Sequence, residues 1–390
     1  MDPFGFDSLT LDRLRAKPGG KWHKHQGLLG AWVADMDFPP PPVVVQALQG
    51  RLDAGDLCYP DWRYPGGGSP ASDVFCERAL ARYGWSIDVG RVREVNDVVQ
   101  GIQIVLHLCT SAGDGVIVHV PAYPPFLHSI DDNRRVLVPV RTFDLAEVEA
   151  AAGHARALLL CNPHNPTGHV FTETELRGLA DIAERHDLLI IADEIHADLV
   201  YHPHVHRPMA LYAPERTVTV SAASKAFNIA GLRYALMHVG PQWVWDRFKS
   251  VPDHLFGATN LAGSLAAEAA WRDGDEWLAA AVAHLDRQRH LLADLLGEHL
   301  PEVRYTVPDA TYLAWLDCRR LGFGDDPSAV FAERGVRLSE GPNFGPEGNG
   351  FARLNFATSS DVLREIVSRM STTANDASRG RSRSPGTGIR

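Results

Sequence analysis

The chain has 390 residues, 45% of them hydrophobic and 22% charged, which predicts a globular protein of about two to three domains. Its formal net charge of -10 argues against binding to nucleic acid or an anionic membrane, because either favours a basic face. No apolar run approaches the roughly 20 residues of a membrane span, and residues 1–9 lack the apolar segment of a secretory signal. The five cysteines are widely spaced without a C-x-x-C pair, which indicates reduced thiols in a cytoplasmic protein.

Residues 1–50 are predicted to form an N-terminal arm that joins a small domain. The arm contains W-V-A-D-M-D-F at 32–38, followed by four prolines that favour an extended chain. Residues 43–54 have helical spacing. Residues 59–70 are rich in glycine, proline and aromatic side chains, and we expect a loop there.

Apolar strands alternate with helices between residues 95 and 240. Residues 98–109 are predicted to be an apolar helix, and Thr172 and Glu175 have capping-box spacing at the start of another. The predicted strands are short buried runs, at 115–120, 136–140, 157–161, 188–193, 217–221 and 234–239. This alternation predicts an α/β fold with a mostly parallel sheet, in a large domain spanning residues 51–284.

The C-terminal third of the chain has a different pattern. Residues 261–300 have long helical spacing, and residues 285–370 are predicted to form a smaller α+β domain. Residues 371–390 are rich in serine, glycine and arginine, which predicts a disordered tail.

Polar side chains follow several predicted strands, where α/β sheets bind their ligands. They are Tyr123, Asn165, Asp193, Ser224 and Lys225. Lys225 lies among small and apolar residues, and a desolvated lysine near another cation, here Arg233, is suited to form a Schiff base.

Other groups near Lys225 are suited to bind a phosphate. The hydroxyl of Ser224 and the guanidinium of Arg233 both donate hydrogen bonds to such an anion. The backbone amides of Val98 and Val99, at a predicted helix start, do the same.

Two further motifs have both a structural and a functional interpretation. Asp193 ends an apolar strand, and its carboxylate needs a partner there, either as a helix cap or beside a cation such as a pyridinium nitrogen. The segment N-P-H-N-P-T-G at 162–168 is rich in turn-forming residues, so its structural interpretation is a tight loop. In its functional interpretation, the Asn165 amide donates a hydrogen bond to a phenolate oxygen of a cofactor. Tyr123 offers a ring face for stacking on that cofactor.

Three histidines, His202, His204 and His206, alternate along the chain in H-P-H-V-H. Alternate residues of a strand share a face, so a metal site is geometrically possible. The nearby prolines favour an irregular loop instead, and we expect no metal.

These motifs, in this order, resemble the fold-type I pyridoxal-phosphate (PLP) enzymes of the class I/II aminotransferase superfamily over roughly residues 20–370. The resemblance rests on N-P-x-N-P-T-G, then D-E, then S-K-x-x-x-x-x-G-x-R, then R-L-N-F. Within the superfamily, the chain resembles cystathionine β-lyase-like C–S lyases of the MalY/PatB type. The segments that carry this closer resemblance are W-V-A-D-M-D-F, C-N-P-H-N-P-T-G, D-E-I-H and F-G-P-E-G-N-G-F-A-R-L-N-F-A.

The resemblance implies an aspartate-aminotransferase-like fold, PLP as cofactor and a role for each matched residue. Lys225 bonds covalently to PLP and acts as the catalytic base. The remaining implied roles are ring binding by Asp193, Asn165, His196 and Tyr123, phosphate binding by Ser224, Arg233, Val98 and Val99, phosphate binding across a homodimer interface by Tyr59, and substrate binding by Arg353, Asn165 and Ala34.

The activity implied is α,β-elimination from a cysteine S-conjugate or cystathionine-like amino acid, which yields a thiol, pyruvate and ammonia. An aminotransferase uses the same residues and is the principal alternative. The motifs are also compatible with a decarboxylating or oxidative PLP enzyme of secondary metabolism, and with a non-catalytic regulator that keeps the fold. The intact set of Lys225, Asp193, Asn165 and Arg353 argues against the regulator.

The sequence also departs from the family pattern. Asp97 and Gln100 stand where the lyases more often carry glycine and proline, at the expected phosphate loop. His196 replaces a tyrosine that is usual in aminotransferases, which favours the lyase. Residues 60–72, with three consecutive glycines, do not resemble the family closely.

Overall fold

The structure is a computed structural model that describes residues 2–59, 69–141, 143–252 and 257–381. Its strands, in chain order, are β1 (Leu29–Gly30), β2 (Val92–Val95), β3 (Gly115–His119), β4 (Val136–Val140), β5 (Ala157–Cys161), β6 (Leu189–Asp193), β7 (Thr217–Ser221), β8 (Ala235–Val239), β9 (Arg304–Tyr305), β10 (Leu313–Asp317), β11 (Val336–Arg337), β12 (Ser339–Glu340) and β13 (Phe351–Asn355).

The helices of the same described ranges are α1 (Leu11–Arg15), α2 (Gly20–His23), α3 (Pro42–Asp53), α4 (Pro70–Tyr83), α5 (Val98–Cys109), α6 (Pro124–Asp132), α7 (Leu145–Ala152), α8 (Glu173–Arg185), α9 (Gln242–Lys249), α10 (Leu261–Asp273), α11 (Asp275–His299), α12 (Pro327–Glu333) and α13 (Ser360–Arg381). None of these described helices is both long and apolar enough to cross a lipid bilayer.

The chain divides into two compact units. The large unit comprises residues 39–282 and 309–311, and the small unit comprises residues 1–38, 283–308 and 312–390. The arm is predicted to end at residue 50, whereas the structure assigns residues 39–50 to the large unit, because α3 packs against α10. The boundary between the large unit and the C-terminal part of the small unit lies after residue 282, and the predicted one lies after residue 284. Both fall within α11, where the helical pattern continues without a break.

The large unit contains a seven-stranded sheet in the order β2-β8-β7-β6-β5-β3-β4 within the described ranges. Strands β4, β3, β5, β6 and β7 pair in parallel, while β8 pairs antiparallel to both of its neighbours. The α/β fold with a mostly parallel sheet is therefore confirmed.

Both faces of this sheet are covered by helices, which explains why its strands are continuous apolar runs. Leu159, Ile191 and Val220 pack in one core with residues of α5, α6 and α9. Leu158 and Ile190, on the opposite face, pack in a second core with residues of α7 and α8. Successive strand side chains thus alternate between two apolar layers.

Local capping groups fix where several helices of the large unit begin. Thr172 Oγ1 accepts a hydrogen bond from the Glu175 amide, and the Glu175 carboxylate accepts one from the Thr172 amide, so the predicted capping box is present. Ser69 caps α4 through the Ala71 amide. Helix α4 is absent from the predicted elements, because its start lies beside a segment rich in glycine and proline, of which residues 60–68 lie outside the described residues.

The small unit is built on a four-stranded antiparallel sheet in the order β12-β13-β10-β9, together with a parallel pair of β1 and β11. The N-terminal arm joins it through β13. Asn355 Nδ2 donates to the backbone oxygens of Val33 and Asp35, each at 2.7 Å, and Tyr312 Oη donates to the oxygen of Ala34 at 2.7 Å. Helix α13 continues to Arg381, which differs from the disordered tail predicted from residue 371, and residues 382–390 lie outside the described residues.

Candidate active site

The side chains predicted to bind a ligand follow four neighbouring parallel strands. Tyr123 follows β3, Asn165 follows β5, Asp193 ends β6, and Lys225 follows β7. Because parallel strands end at the same edge, the large unit carries these residues along one edge of its sheet. Backbone hydrogen bonds fix their register: the Asn162 amide donates to the oxygen of Asp193 at 2.9 Å, and the Glu194 amide donates to the oxygen of Val220 at 2.9 Å.

Asp193 is a buried carboxylate, only 4% exposed. Its Oδ1 accepts a hydrogen bond from the Ile195 amide at 3.0 Å, so it does cap the turn that follows β6. Burial raises the pKa of Asp193 to about 7, while the Ile195 amide and the charge of Lys225 act in the opposite direction. The carboxylate is therefore desolvated, and a cation at this position would stabilise its ionised form.

Side-chain hydrogen bonds hold the 162–168 loop, and Asn165 is buried within it. Asn162 Oδ1 accepts from the Phe171 amide at 3.2 Å, and His164 Nδ1 shares a 2.8 Å hydrogen bond with Thr167 Oγ1. Burial lowers the pKa of His164 to about 3, so this imidazole is neutral near pH 7. These hydrogen bonds of Asn162 and His164 hold the loop around the buried Asn165 without adding a charge.

The segment after β7 bends back in two places to carry Lys225 and Arg233. The Phe227 and Ile229 amides donate to the oxygens of Ala223 and Ser224, each at 3.0 Å, so the backbone turns around a half-buried Lys225. Asn260 Nδ2 donates to the oxygen of Leu232 at 2.7 Å, which secures the residue next to Arg233.

The start of α5 lies beside Arg233. Asp97 caps this helix, because its Oδ1 accepts from the Gln100 amide at 2.7 Å, and its Oδ2 forms an ion pair with Arg233 Nη2. This ion pair therefore joins the start of α5 to Arg233, and both are predicted to bind the phosphate. It also places an acidic side chain, Asp97, among them.

His196 lies in the turn after β6 and is almost fully buried. Its backbone oxygen accepts from the Leu199 amide at 2.9 Å, which closes the turn. The neighbouring Glu194 is also buried, and its carboxylate accepts from the Met209 amide at 2.8 Å and contacts His206 Nε2 at 3.3 Å. His206 thus contacts a carboxylate, and no cluster of potential metal ligands occurs in the part of the chain that the structure describes.

Two tyrosines that were predicted to contact the cofactor differ in their surroundings. Tyr123 precedes α6, and its half-buried ring lies 5.5 Å from that of Phe126 in an edge-to-face arrangement. Tyr59 is 90% exposed on the loop that follows α3.

The small unit contains Arg353, which is 4% exposed in the middle of β13. Its Nη2 donates to the backbone oxygen of Trp32 and to Ser339 Oγ, both at 3.1 Å, and its guanidinium lies 5.0 Å from the centre of the Phe344 ring. Ala34, also buried, belongs to the same arm as Trp32. Neutral oxygens and an aromatic face hold this guanidinium in a fixed orientation.

The residues of the large unit fit the PLP that the sequence resemblance implies. Asp193 is a desolvated carboxylate near a lysine, and the ring nitrogen of PLP supplies a matching cation. Arg233 and the first amides of α5 form a cationic, donor-rich pair of groups for a phosphate. Asp97 is the one described acidic residue among these phosphate-binding groups, and its negative charge would repel a phosphate.

Several contacts of the candidate residues in each unit were not predicted from the sequence. The ion pair of Asp97 with Arg233 joins positions 136 residues apart, so no local pattern reports it. The D-x-x-Q spacing of Asp97 and Gln100 does, however, indicate the helix cap. Ser339, which holds Arg353, lies on a two-residue strand that carries no motif.

Comparison with known proteins shows the family of this chain. The family model "Aminotransferase class I and II" matches residues 36–370. The cystathionine beta-lyase of Corynebacterium glutamicum is 35% identical over 92% of this chain and 98% of its own, and the cystathionine beta-lyase PatB of Bacillus subtilis is 32% identical over 90% and 96%. The PLP-bound C-S lyase from Staphylococcus hominis is a structural neighbour with a TM-score of 0.86 and 29% identity, over 95% of this chain and 97% of its own. The chain therefore belongs to the aminotransferase class I and II family.

Proposed function

We propose that this protein is a PLP-dependent C–S β-lyase that acts on a cysteine S-conjugate or a cystathionine-like thioether amino acid. The observation that carries the PLP-dependent part of the proposal is the desolvated Asp193 near Lys225 at the carboxyl edge of the sheet. The relatives named cystathionine beta-lyase and the neighbour described as a PLP-bound C-S lyase support the same reaction. The aminotransferase alternative has weaker support, because two relatives named as aminotransferases are only 28% and 24% identical to this chain.

Each residue of the site has a distinct task in this reaction. When bound, PLP supplies a sink for the electron pair that remains at Cα. Lys225 Nζ takes the proton from Cα, and the bond between Cβ and sulfur then breaks. The sulfur leaves as a thiolate and is protonated, and addition of water to the remaining enamine gives pyruvate and ammonia. Asp193 keeps a cationic ring in place, and Asn165 orients it.

One experiment separates the lyase from the aminotransferase. A lyase returns PLP to its aldehyde form after each turnover, whereas an aminotransferase leaves the amine form and needs a keto acid. We expect steady release of pyruvate and thiol from cystathionine or an S-substituted cysteine without any keto acid. Turnover that stops after one equivalent, and resumes only with added keto acid, would identify an aminotransferase. Absorbance spectra of the cofactor during turnover provide an independent reading of its form.

We further propose that the protein is a cytoplasmic homodimer with shared active sites. All five cysteines are free thiols, which accords with a reducing compartment. Four large apolar side chains, at Val45, Leu52, Leu57 and Tyr59, are exposed on α3 and the loop that follows it. Such a concentration of exposed apolar side chains is typical of an interface, and a second copy of the chain is its proposed partner.

The shared site predicts that two inactive variants complement each other. If Tyr59 of one subunit binds the phosphate in the other, a dimer of Tyr59→Phe with Lys225→Ala contains one intact site. Random mixing makes half of the dimers mixed, so an equimolar refolded mixture should recover about one quarter of wild-type activity. Refolding each variant alone is the control. A fully active monomer in sedimentation experiments would contradict the shared site.

Arg353→Lys is expected to weaken substrate binding selectively. A lysine cannot make the two parallel hydrogen bonds that a guanidinium makes to the substrate carboxylate. The loss of about 1.5–3 kcal/mol predicts a KM that is roughly tenfold to more than a hundredfold higher. The matched control is Arg319→Lys, at an exposed arginine of the small unit that pairs with Asp317. Loss of folding or of PLP in Arg353→Lys would instead indicate a structural role.

A further inference from the structure

A polar cavity of about 240 Å³ lies in the large unit at the edge of the sheet opposite to Lys225. Asp114, Arg156, Leu188 and Arg216 border it, and they immediately precede β3, β5, β6 and β7. Each of these strands has five residues, so the cavity lies about 16 Å from the carboxyl edge. A ligand in this cavity therefore does not overlap with the proposed PLP site.

Cationic groups outnumber acidic groups around this cavity. Three arginines, Arg156, Arg216 and Arg247, face two aspartates, Asp114 and Asp187. Of these three arginines, only Arg216 forms an ion pair with a described residue, and its partner is Asp187 at 2.7 Å. Arg247 donates to the backbone oxygen of Leu108 at 3.1 Å, and Arg156 and Arg247 have no carboxylate partner within the described ranges.

This local excess of positive charge contrasts with the net charge of -10 of the whole chain. Arg156 lies in the connection between α7 and β5, whereas Arg247 lies in α9, so these two exposed arginines border the cavity from separate elements. Guanidiniums without an acidic partner form charge-assisted hydrogen bonds with carboxylates and phosphates.

The remaining walls restrict the ligand to a small molecule. The hydroxyl residues Thr110 and Ser111 add polar groups, and the indole of Trp243, which is 46% exposed, adds an apolar wall. Pockets for drug-sized ligands have roughly 300–1,000 Å³, so a cavity of about 240 Å³ suits a smaller molecule. We propose that this cavity binds a small organic dianion, a phosphate monoester or a dicarboxylate, through Arg156 and Arg247.

The test uses the holoenzyme after borohydride reduction, which fixes PLP covalently and keeps added anions out of its phosphate site. Glycerol 3-phosphate, succinate and inorganic phosphate are titrated separately by calorimetry at constant ionic strength. We expect saturable binding of at least one organic dianion, with a Kd at least tenfold higher in the double variant Arg156→Gln/Arg247→Gln. Tighter binding of glycerol 3-phosphate identifies a phosphate monoester, and tighter binding of succinate identifies a dicarboxylate.

The matched control is the double variant Arg177→Gln/Arg185→Gln, at exposed arginines of α8 that pair with Glu173 and Glu149 and do not border the cavity. Its Kd should equal that of the wild type. Trp243→Phe should remove any fluorescence change on binding while the calorimetric signal persists. Absence of saturable binding of either organic dianion up to about 20 mM, or equal weakening in both double variants, would overturn the proposal.

Discussion

Replacing Lys225 with alanine is expected to abolish steady turnover while the protein still folds. The variant loses both the amine that bonds to PLP and the base that takes the Cα proton, so kcat should fall by at least about a thousandfold. The wild type, reduced with borohydride and digested, should carry the cofactor on the peptide that contains Lys225. The variant should carry none, although Asp193 and the groups around Arg233 still allow reversible PLP binding.

Lys249→Ala is the matched control for this prediction, because Lys249 is an exposed lysine of α9 that pairs with Asp246. It should retain full activity and the same labelled peptide. Recovery of the cofactor on any lysine other than Lys225 would refute the assignment. Circular dichroism of both variants separates loss of chemistry from loss of folding.

Asp193→Asn is expected to lower kcat by about a hundredfold to a thousandfold, the range for removal of one preorganised electrostatic contact. The asparagine keeps the size of the side chain but cannot pair with a cationic ring. The absorbance of the bound cofactor should change with it, because the protonation of the ring nitrogen changes. A fully active Asp193→Asn variant would exclude the proposed role.

The same residue predicts how the stability of the apoprotein depends on pH. Burial raises the pKa of Asp193 from 3.8 to about 7, so the folded protein binds the proton more tightly than the unfolded chain does. The free energy of unfolding of the apoprotein should therefore fall as pH rises from about 4 to about 7, and then level off. The full shift corresponds to at most about 4 kcal/mol.

Asp193→Asn cannot ionise, so its apoprotein should lack this component of the pH dependence. Denaturant unfolding of both apoproteins at several pH values measures the difference. PLP binding should reduce the wild-type dependence, since a cationic ring stabilises the ionised carboxylate. Identical pH dependence in the two apoproteins would show that Asp193 is not desolvated in solution.

Helix α5 and strands β3 to β8 of the large unit could be predicted because their apolar runs are largely buried. The predicted helix at 98–109 coincides with α5, and the predicted strands at 136–140 and 157–161 coincide with β4 and β5. Covering helices require such continuous runs, which are visible in a single sequence. The start of α5 is also marked locally, because the side chain of Asp97 caps the helix through the amide of Gln100, only three residues later.

Features that depend on distant residues could not be predicted. The packing of α3 against α10 assigns residues 39–50 to the large unit, but neither helix alone indicates its partner. The cationic cavity collects arginines from separate elements that have no common motif. Tertiary contacts between positions far apart in sequence are needed to define such sites, and composition does not report them.

The alternation of side chains along β6 sets a strict requirement on chain length. Leu189 and Ile191 face the core that contains α5, while Ile190 and Ala192 face the core that contains α8. By this alternation, Asp193 points toward the α5 side, where Arg233 pairs with Asp97. One inserted or deleted residue within β6 would turn the Asp193 carboxylate toward the α8 side of the sheet. It would also move the apolar side chains on one side of the change from one core to the other. Natural variation in length should therefore be confined to the loops, and the strand itself should tolerate substitutions but no indels.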